Sequence, residues 1–177
     1  MPLVVADAGP LIHLAQINKL FLLKSLFNQV IITPGVQRET VDEGIKRRYP
    51  DALIVRKALE EGWIVITELT KTEASIVNRL AEGENVSCSD AETLLVAKEN
   101  TAELVLIDER GLSNLAKMYG FQVWNTWTIL LEALRKGFIE LSDIESAIHD
   151  LGERRHKLTA EQAVEILEAA KHIASLN

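Results

Sequence analysis

Apolar residues fall along this chain in two rhythms. Short β-branched runs at Leu3-Val4-Val5-Ala6, Val30-Ile31-Ile32, Ile64-Val65-Ile66 and Leu104-Val105-Leu106-Ile107 read as strands, with Phe121 to Trp124 as a short last one. Between them lie stretches with apolar residues at helical spacing. Leu11 to Leu26 is one, broken near Asn18 into two short helices. Thr33-Pro34 opens the next, a capping residue followed by Pro at the first helical position. Val36, Val41 and Ile45 lie along that helix, and Glu39 sits near its second turn. Asp51 to Glu61 is helical and stops at Gly62. Thr72 to Glu82 is helical and stops at Gly83, with a polar loop from Glu84 to Ser89. Ser89-Asp90-Ala91-Glu92 has capping-box spacing and predicts a helix start at about Asp90. Gly111 to Tyr119 and Thr126 to Lys136 are further helices, closed by Gly120 and Gly137.

Strands alternating with helices through long crossovers predict a parallel sheet covered on both faces. Beyond Phe138 the pattern changes to helix alone. Ser142-x-x-Glu145 and Thr159-x-x-Gln162 look like capping boxes of two helices, separated by Gly152 to Leu158. Ala163, Ile166, Leu167, Ala170 and Ile173 make one apolar stripe on the second. The chain divides on this reading into a domain over residues 1–140 and a helical extension over 141–177, packed on the domain or on a partner. A homodimer or higher oligomer is expected.

Composition narrows the picture. The chain has 177 residues, 47 % of them apolar, enough for one domain with a substantial core. The formal net charge of -7 argues against whole-surface attraction to nucleic acid or an anionic membrane. It leaves room for a local basic groove and suits a cation site. Cys88 is the single cysteine, so no intrachain disulfide forms, and a reducing compartment is expected. The first residues lack the pattern of a signal peptide, and no run approaches the roughly 18 apolar residues of a membrane span. A cytoplasmic protein with no membrane partner is the expectation.

Candidate chemistry lies in the acids. Asp7 ends the first strand, where Gly9-Pro10 turns the chain into helix. Asp108 ends the fourth. In a parallel sheet each crossover helix starts at the carboxyl edge, which brings Glu39 and Asp90 to the same edge. Crowded like charges repel unless a cation sits among them, and oxygen ligands select hard ions such as Mg²⁺ or Mn²⁺. Each acid also has a structural role open to it. Asp7 and Asp108 suit helix caps, Glu39 a solvated face, Asp90 the positive end of a helix dipole, and Glu92 the carboxylate of a capping box.

Four stretches in order carry a resemblance: Val4-Val5-Ala6-Asp7-Ala8-Gly9-Pro10-Leu11-Ile12, Pro34 to Glu39, Asp90-Ala91-Glu92, and Leu106-Ile107-Asp108-Glu109-Arg110-Gly111. Together the chain resembles the PIN domain, and within it the DUF3368 subgroup, over about residues 3–140. Thr126 to Ala133 and Gly137-Phe138-Ile139 resemble that subgroup too. The resemblance implies a three-layer α/β/α sandwich with a central parallel sheet. It implies a Mg²⁺- or Mn²⁺-dependent ribonuclease, with Asp7, Glu39, Asp90 and Asp108 as catalytic metal ligands and Glu92 as an alternative third acid. RNA is the implied substrate, and an antitoxin protein the implied partner, since such nucleases are often toxins. Many PIN domains carry Ser or Thr where this chain has Gly9, so a hydroxyl that helps hold the site is missing. That departure keeps open a second reading, a catalytically weakened module that binds nucleic acid or protein.

The remaining features read as structural. His13, His149, His156 and His172 lack metal-ligand spacing and read as surface residues. Trp63, Trp124 and Trp127 read as core or interface residues. Gly9 disfavours a phosphotransferase of the Asp-x-Asp type. Lys46-Arg47-Arg48 is a solvated helix end, or a grip on RNA phosphates beside the acidic edge.

Overall fold

Val4, Val5 and Ala6 are all buried, as a strand covered on both faces must be. In the computed structural model, which describes residues 2–154, 156 and 158–176, they form β1 (Val4–Ala6) at the centre of a five-stranded sheet. The other strands are β2 (Val30–Ile32), β3 (Ile64–Ile66), β4 (Leu104–Leu106) and β5 (Gln122–Trp124). Their order is β3-β2-β1-β4-β5, and every pairing is parallel. Val5 lies opposite Ile31 on one side and Val105 on the other. The chain builds outward from β1 to β3, then returns to the far side of β1 as β4. The strand order therefore reverses between β1 and β4, and the carboxyl ends at such a switch point are where open α/β sheets bind ligands.

Alternation along the strands feeds two cores. Val4, Ala6, Leu104 and Leu106 join the larger one. It is filled by α1 (Ala8–Gln16), α2 (Phe21–Phe27), α5 (Pro50–Glu60) and α9 (Thr126–Arg135). Val5, Val105 and Ile107 face the other way, onto α7 (Cys88–Glu99) and α8 (Arg110–Met118). Ala91 and Leu95 of α7 meet Val77 and Ala81 of α6 (Lys71–Glu84). Helices thus cover both faces of a parallel sheet, the α/β/α sandwich expected. Because α7 lies between the sheet and α6, an unbroken run from Ala91 to Ala97 is buried on it, Glu92 and Thr93 included.

The helix after β2 is not uniform. It starts as α3 (Pro34–Gln37), capped by Thr33, whose hydroxyl accepts from the Val36 N–H at 3.2 Å. Over Arg38–Asp42 the turn widens, and the Glu43 N–H reaches back five residues to the Arg38 carbonyl. It closes as α4 (Glu43–Lys46). Such single wide turns occur often at functional sites.

Three helix ends differ from expectation. α6 runs through Gly83 and ends at Asn85, whose φ of 54° is left-handed. One interior Gly costs only about 1 kcal/mol, and Asn takes the left-handed terminus well. α7 starts at Cys88 rather than at about Asp90, because Ser87 and Asp90 form the capping box. Asp90 accepts from the Ser87 N–H at 3.1 Å, and its own N–H donates to the Ser87 hydroxyl at 3.0 Å. Glu92 is no part of it. In the tail, α10 (Leu141–Glu153) starts one residue before Ser142, and Asp143 rather than Glu145 accepts from the Glu140 N–H at 2.9 Å. The Thr159 and Gln162 box forms as read, at 2.9 and 3.1 Å, and opens α11 (Ala160–Leu176).

The tail helices share the main core. Ile139, Ile144, Ala147, Leu151 and Ala170 belong to the same apolar cluster as Val4 and Ala6 of β1. α11 packs on α9, and α10 touches both. Lys19, in the turn between α1 and α2, reaches Asp143 at 2.5 Å. Among the described residues no helix is long and apolar enough to cross a membrane.

This continuity sets an expectation. Ile144 is fully buried. Ile144→Ala should lower the unfolding free energy by about 2–5 kcal/mol, read by urea denaturation. Truncation after Gly137 should cause aggregation or a changed oligomer. A truncated chain with unchanged mass and melting would contradict this.

Candidate active site at the carboxyl edge

Asp7 follows β1 directly, and its N–H donates to the Leu106 carbonyl at 2.9 Å. It occupies the N-cap position of α1, yet its carboxylate makes no capping hydrogen bond. The residue is only 8 % exposed. Burial pushes its carboxyl from the ordinary 3.8 up to about 7, and the charges of Asp90 and Glu39 add to the rise. The N–H groups of Ala8 and Gly9 offset only part of this. So Asp7, Asp90 and Glu39 share one electrostatic site at the edge. Asp90 is half-buried and Glu39 exposed. Among the described residues these three do not gather their oxygens within 4.8 Å of one another.

Asp108 lies two residues past β4, one position beyond the residue that falls opposite Asp7, and is bound differently. Its side chain is 7 % exposed. One oxygen accepts from the Thr126 N–H at 2.7 Å, the other from the Thr126 hydroxyl at 2.6 Å. That second oxygen also lies 2.5 Å from His13 Nδ1. Burial pushes the Asp108 carboxyl up, but the hydrogen bonds from His13 and Thr126 outweigh it and hold it below the usual range. Asp108 does not cap the next helix. Glu109 does, accepting from the Gly111 and Leu112 N–H groups at 2.8 and 2.5 Å.

Gly9 has a steric explanation. A Cβ there would lie 3.1 Å from the Asp108 Cβ, so α1 can start this close to β4 only with a small residue. The hydroxyl absent at residue 9 has a counterpart on Asp108, supplied by Thr126 from α9.

Glu92 proves to be a buried clip between helices. It is 7 % exposed and accepts from the Gly35 N–H at 2.6 Å and from Arg38 at 3.3 Å. A Cβ on Gly35 would stand 2.7 Å from Glu92 Oε2 and 3.0 Å from the Ser89 Cα. Gly35 thus lets α3 approach α7, which carries the wide turn and Glu39 toward the edge.

Two histidines are not surface residues. His13 is partly buried against Asp108. His156 lies between the rings of His13, with centroids 3.8 Å apart, and Trp127, at 6.1 Å. Burial, then the nearby charge of His13, push His156 below its usual range. Helical spacing within one element gives no hint of this, because the two histidines come from opposite ends of the chain.

The raised Asp7 value predicts a pH dependence. Between about pH 4 and 7 the native state binds more protons than the unfolded chain, so stability falls as pH rises through that window and levels above it. The shift from 3.8 to about 7 corresponds to about 4 kcal/mol as an upper bound. In metal-free buffer at about pH 8, Asp7→Asn should therefore be more stable than wild type, with a flatter pH profile of urea midpoints. Gly35→Ala should destabilise by about 1–3 kcal/mol through overpacking against Glu92, measured the same way.

Comparison with known proteins bears on the family and the fold. A family model described as PIN domain, DUF3368, matches residues 3–172. The crystal structure of PAE2754 from Pyrobaculum aerophilum superposes with a TM-score of 0.54 at 19 % identity, over 74 % of this chain and 96 % of that one. This likeness shows a shared fold. No curated protein matches. PIN domains are typically nucleases that use divalent metals and act on nucleic acid. The family match reaches from the strand before Asp7 into the last helix, and the protein belongs to the PIN domain family DUF3368.

Proposed function

We propose that the protein is a divalent-metal-dependent RNA endonuclease, the toxin of a toxin–antitoxin pair, with Asp7, Glu39, Asp90 and Asp108 as its acidic site. The observation that carries this reading is Asp7. A buried carboxyl raised to about 7, with Asp90 and Glu39 adding to the rise, sits at the switch point of the sheet. It has no capping role to account for it.

The donor set fits the implied ion. Carboxylate oxygens suit Mg²⁺ or Mn²⁺, and either would relieve the repulsion on Asp7. Such an ion, when bound, lowers the pKa of an attacking water and stabilises the leaving oxygen. The chain's own residues set the geometry. The Ser87 N–H holds one oxygen of Asp90 at 3.1 Å. Thr126 holds Asp108 from two directions. Arg38, exposed and tied to Glu92, puts a cation beside Glu39 for the RNA phosphates. In the basic run Lys46 is paired with Glu43, leaving Arg47 and Arg48 exposed to solvent for the same task. A Cβ at residue 9 would sit tightly against Asp108, which gives Gly9 a packing reading beside that of a weakened site.

The test is cleavage of a mixed RNA pool with Mn²⁺, with and without chelator, beside thermal melts. Wild type should cut only with metal and melt higher in its presence, because an ion bound to the native state alone stabilises it. Asp7→Asn should lose about a hundredfold or more of the activity and most of the melting response. Equal metal responses in the two proteins would remove Asp7 from the site, and the reading with it.

A further inference from the structure

Three ligating side chains meet on the α9 side of Asp108. His13 comes from α1, Asp108 from the end of β4, and His156 from the connection between α10 and α11. One ligating atom of each can be chosen so that all lie within 4.8 Å of one another. Among the described residues no other trio of His, Cys, Asp or Glu does this. His13 and Asp108 are 95 positions apart, so no local structure accounts for their meeting. A hydrogen bond from His13 to Asp108 explains one pair, and ring stacking explains the position of His156. Neither explains His156 Nε2, which is buried and has no hydrogen-bond partner. A buried ring nitrogen left without a partner points to something that binds it.

We propose that His13, Asp108 and His156 form a site for a transition-metal ion of the Zn²⁺ class, which shares Asp108 with the acidic site and lies on the side of that carboxylate turned to His13 and Thr126. Two imidazoles and one carboxylate prefer Zn²⁺, Co²⁺ or Ni²⁺ over Mg²⁺. Three protein ligands leave the fourth position of a tetrahedral ion for a solvent or substrate oxygen. The surroundings are those of a held site. Thr126 fixes Asp108 through its N–H and its hydroxyl, and Trp127 stacks behind His156 at an interplanar angle of 13°. The ion takes the place of the proton shared by His13 Nδ1 and Asp108 Oδ2, and that proton leaves to solvent. His13 then moves outward a little, since the two atoms stand 2.5 Å apart and two ligands of one ion need about 3 Å. The site needs the tail, because only the α10–α11 connection brings His156 over α9. The assignment does not rest on the nuclease reading.

The experiment is a Co²⁺ titration of full-length, tag-free protein, with Co²⁺ as a visible-absorbing stand-in for Zn²⁺. Wild type should develop a tetrahedral Co²⁺ absorption band that saturates at one tetrahedral ion per chain and that Zn²⁺ abolishes; Co²⁺ on the carboxylates alone gives only the weak octahedral band. His156→Gln and His13→Gln should each weaken binding at least about tenfold. Asp7→Asn, and a variant carrying both His149→Gln and His172→Gln, should bind as wild type does. The two site variants lie on different elements, and metal-free melts identify either that fails to fold. Absence of a band in wild type would overturn the proposal. So would wild-type affinity in a folded His13→Gln or His156→Gln protein, or loss of the band in Asp7→Asn alone.

Discussion

The register of β1 against β4, with Val4 opposite Leu104 and Ala6 opposite Leu106, puts Asp7 one residue and Asp108 two residues past the ends of neighbouring strands. The strands are parallel, so both carboxylates stand at the same edge of the sheet. The strand order reverses between these two strands, which makes that edge the switch point of the sheet. Everything else at the edge is arranged around that pair. Gly9 keeps α1 out of the way of Asp108, and Gly35 lets α3 close onto α7. Thr126 rises from α9 to hold Asp108.

Three carboxylate side chains at or near this edge are buried, and their charges are compensated in different ways. Glu92 is satisfied by the Gly35 N–H and Arg38. Asp108 is satisfied by Thr126 and His13. Asp7 makes no capping bond and has other acids for neighbours. A buried charge without compensation costs stability and persists where a site uses it. A cation offsets that cost, and this is why the weakest point of the electrostatics is the strongest pointer to the chemistry.

The helices after residue 140 belong to the same physical unit. Their apolar residues enter the core that β1 and α9 already build. The family match to residue 172 runs through them as well. In closing over α9, the tail places His156 against His13 and Trp127, which makes it part of the surroundings of Asp108.

Much of this was legible in the sequence. Five β-branched runs gave the strands to within a residue, because a strand buried on both faces tolerates little else. Thr33-Pro34, Thr159-x-x-Gln162, Gly62, Gly120 and Gly137 marked helix ends through chemistry that is local to the backbone. Asp7 and Asp108 could be placed at one edge because parallel strands share a direction. The roles of individual side chains were decided elsewhere. Ser87 competed with Ser89 for the start of α7, and packing against α3 chose between them by drawing Glu92 inward. Nothing near His13 or His156 in the sequence relates them, for their contact depends on how α1, β4 and the α10–α11 connection stack in space. Local patterns determine which elements form and where they end. Which carboxylate is satisfied, and by which groups, depends on neighbours that only the tertiary fold brings together.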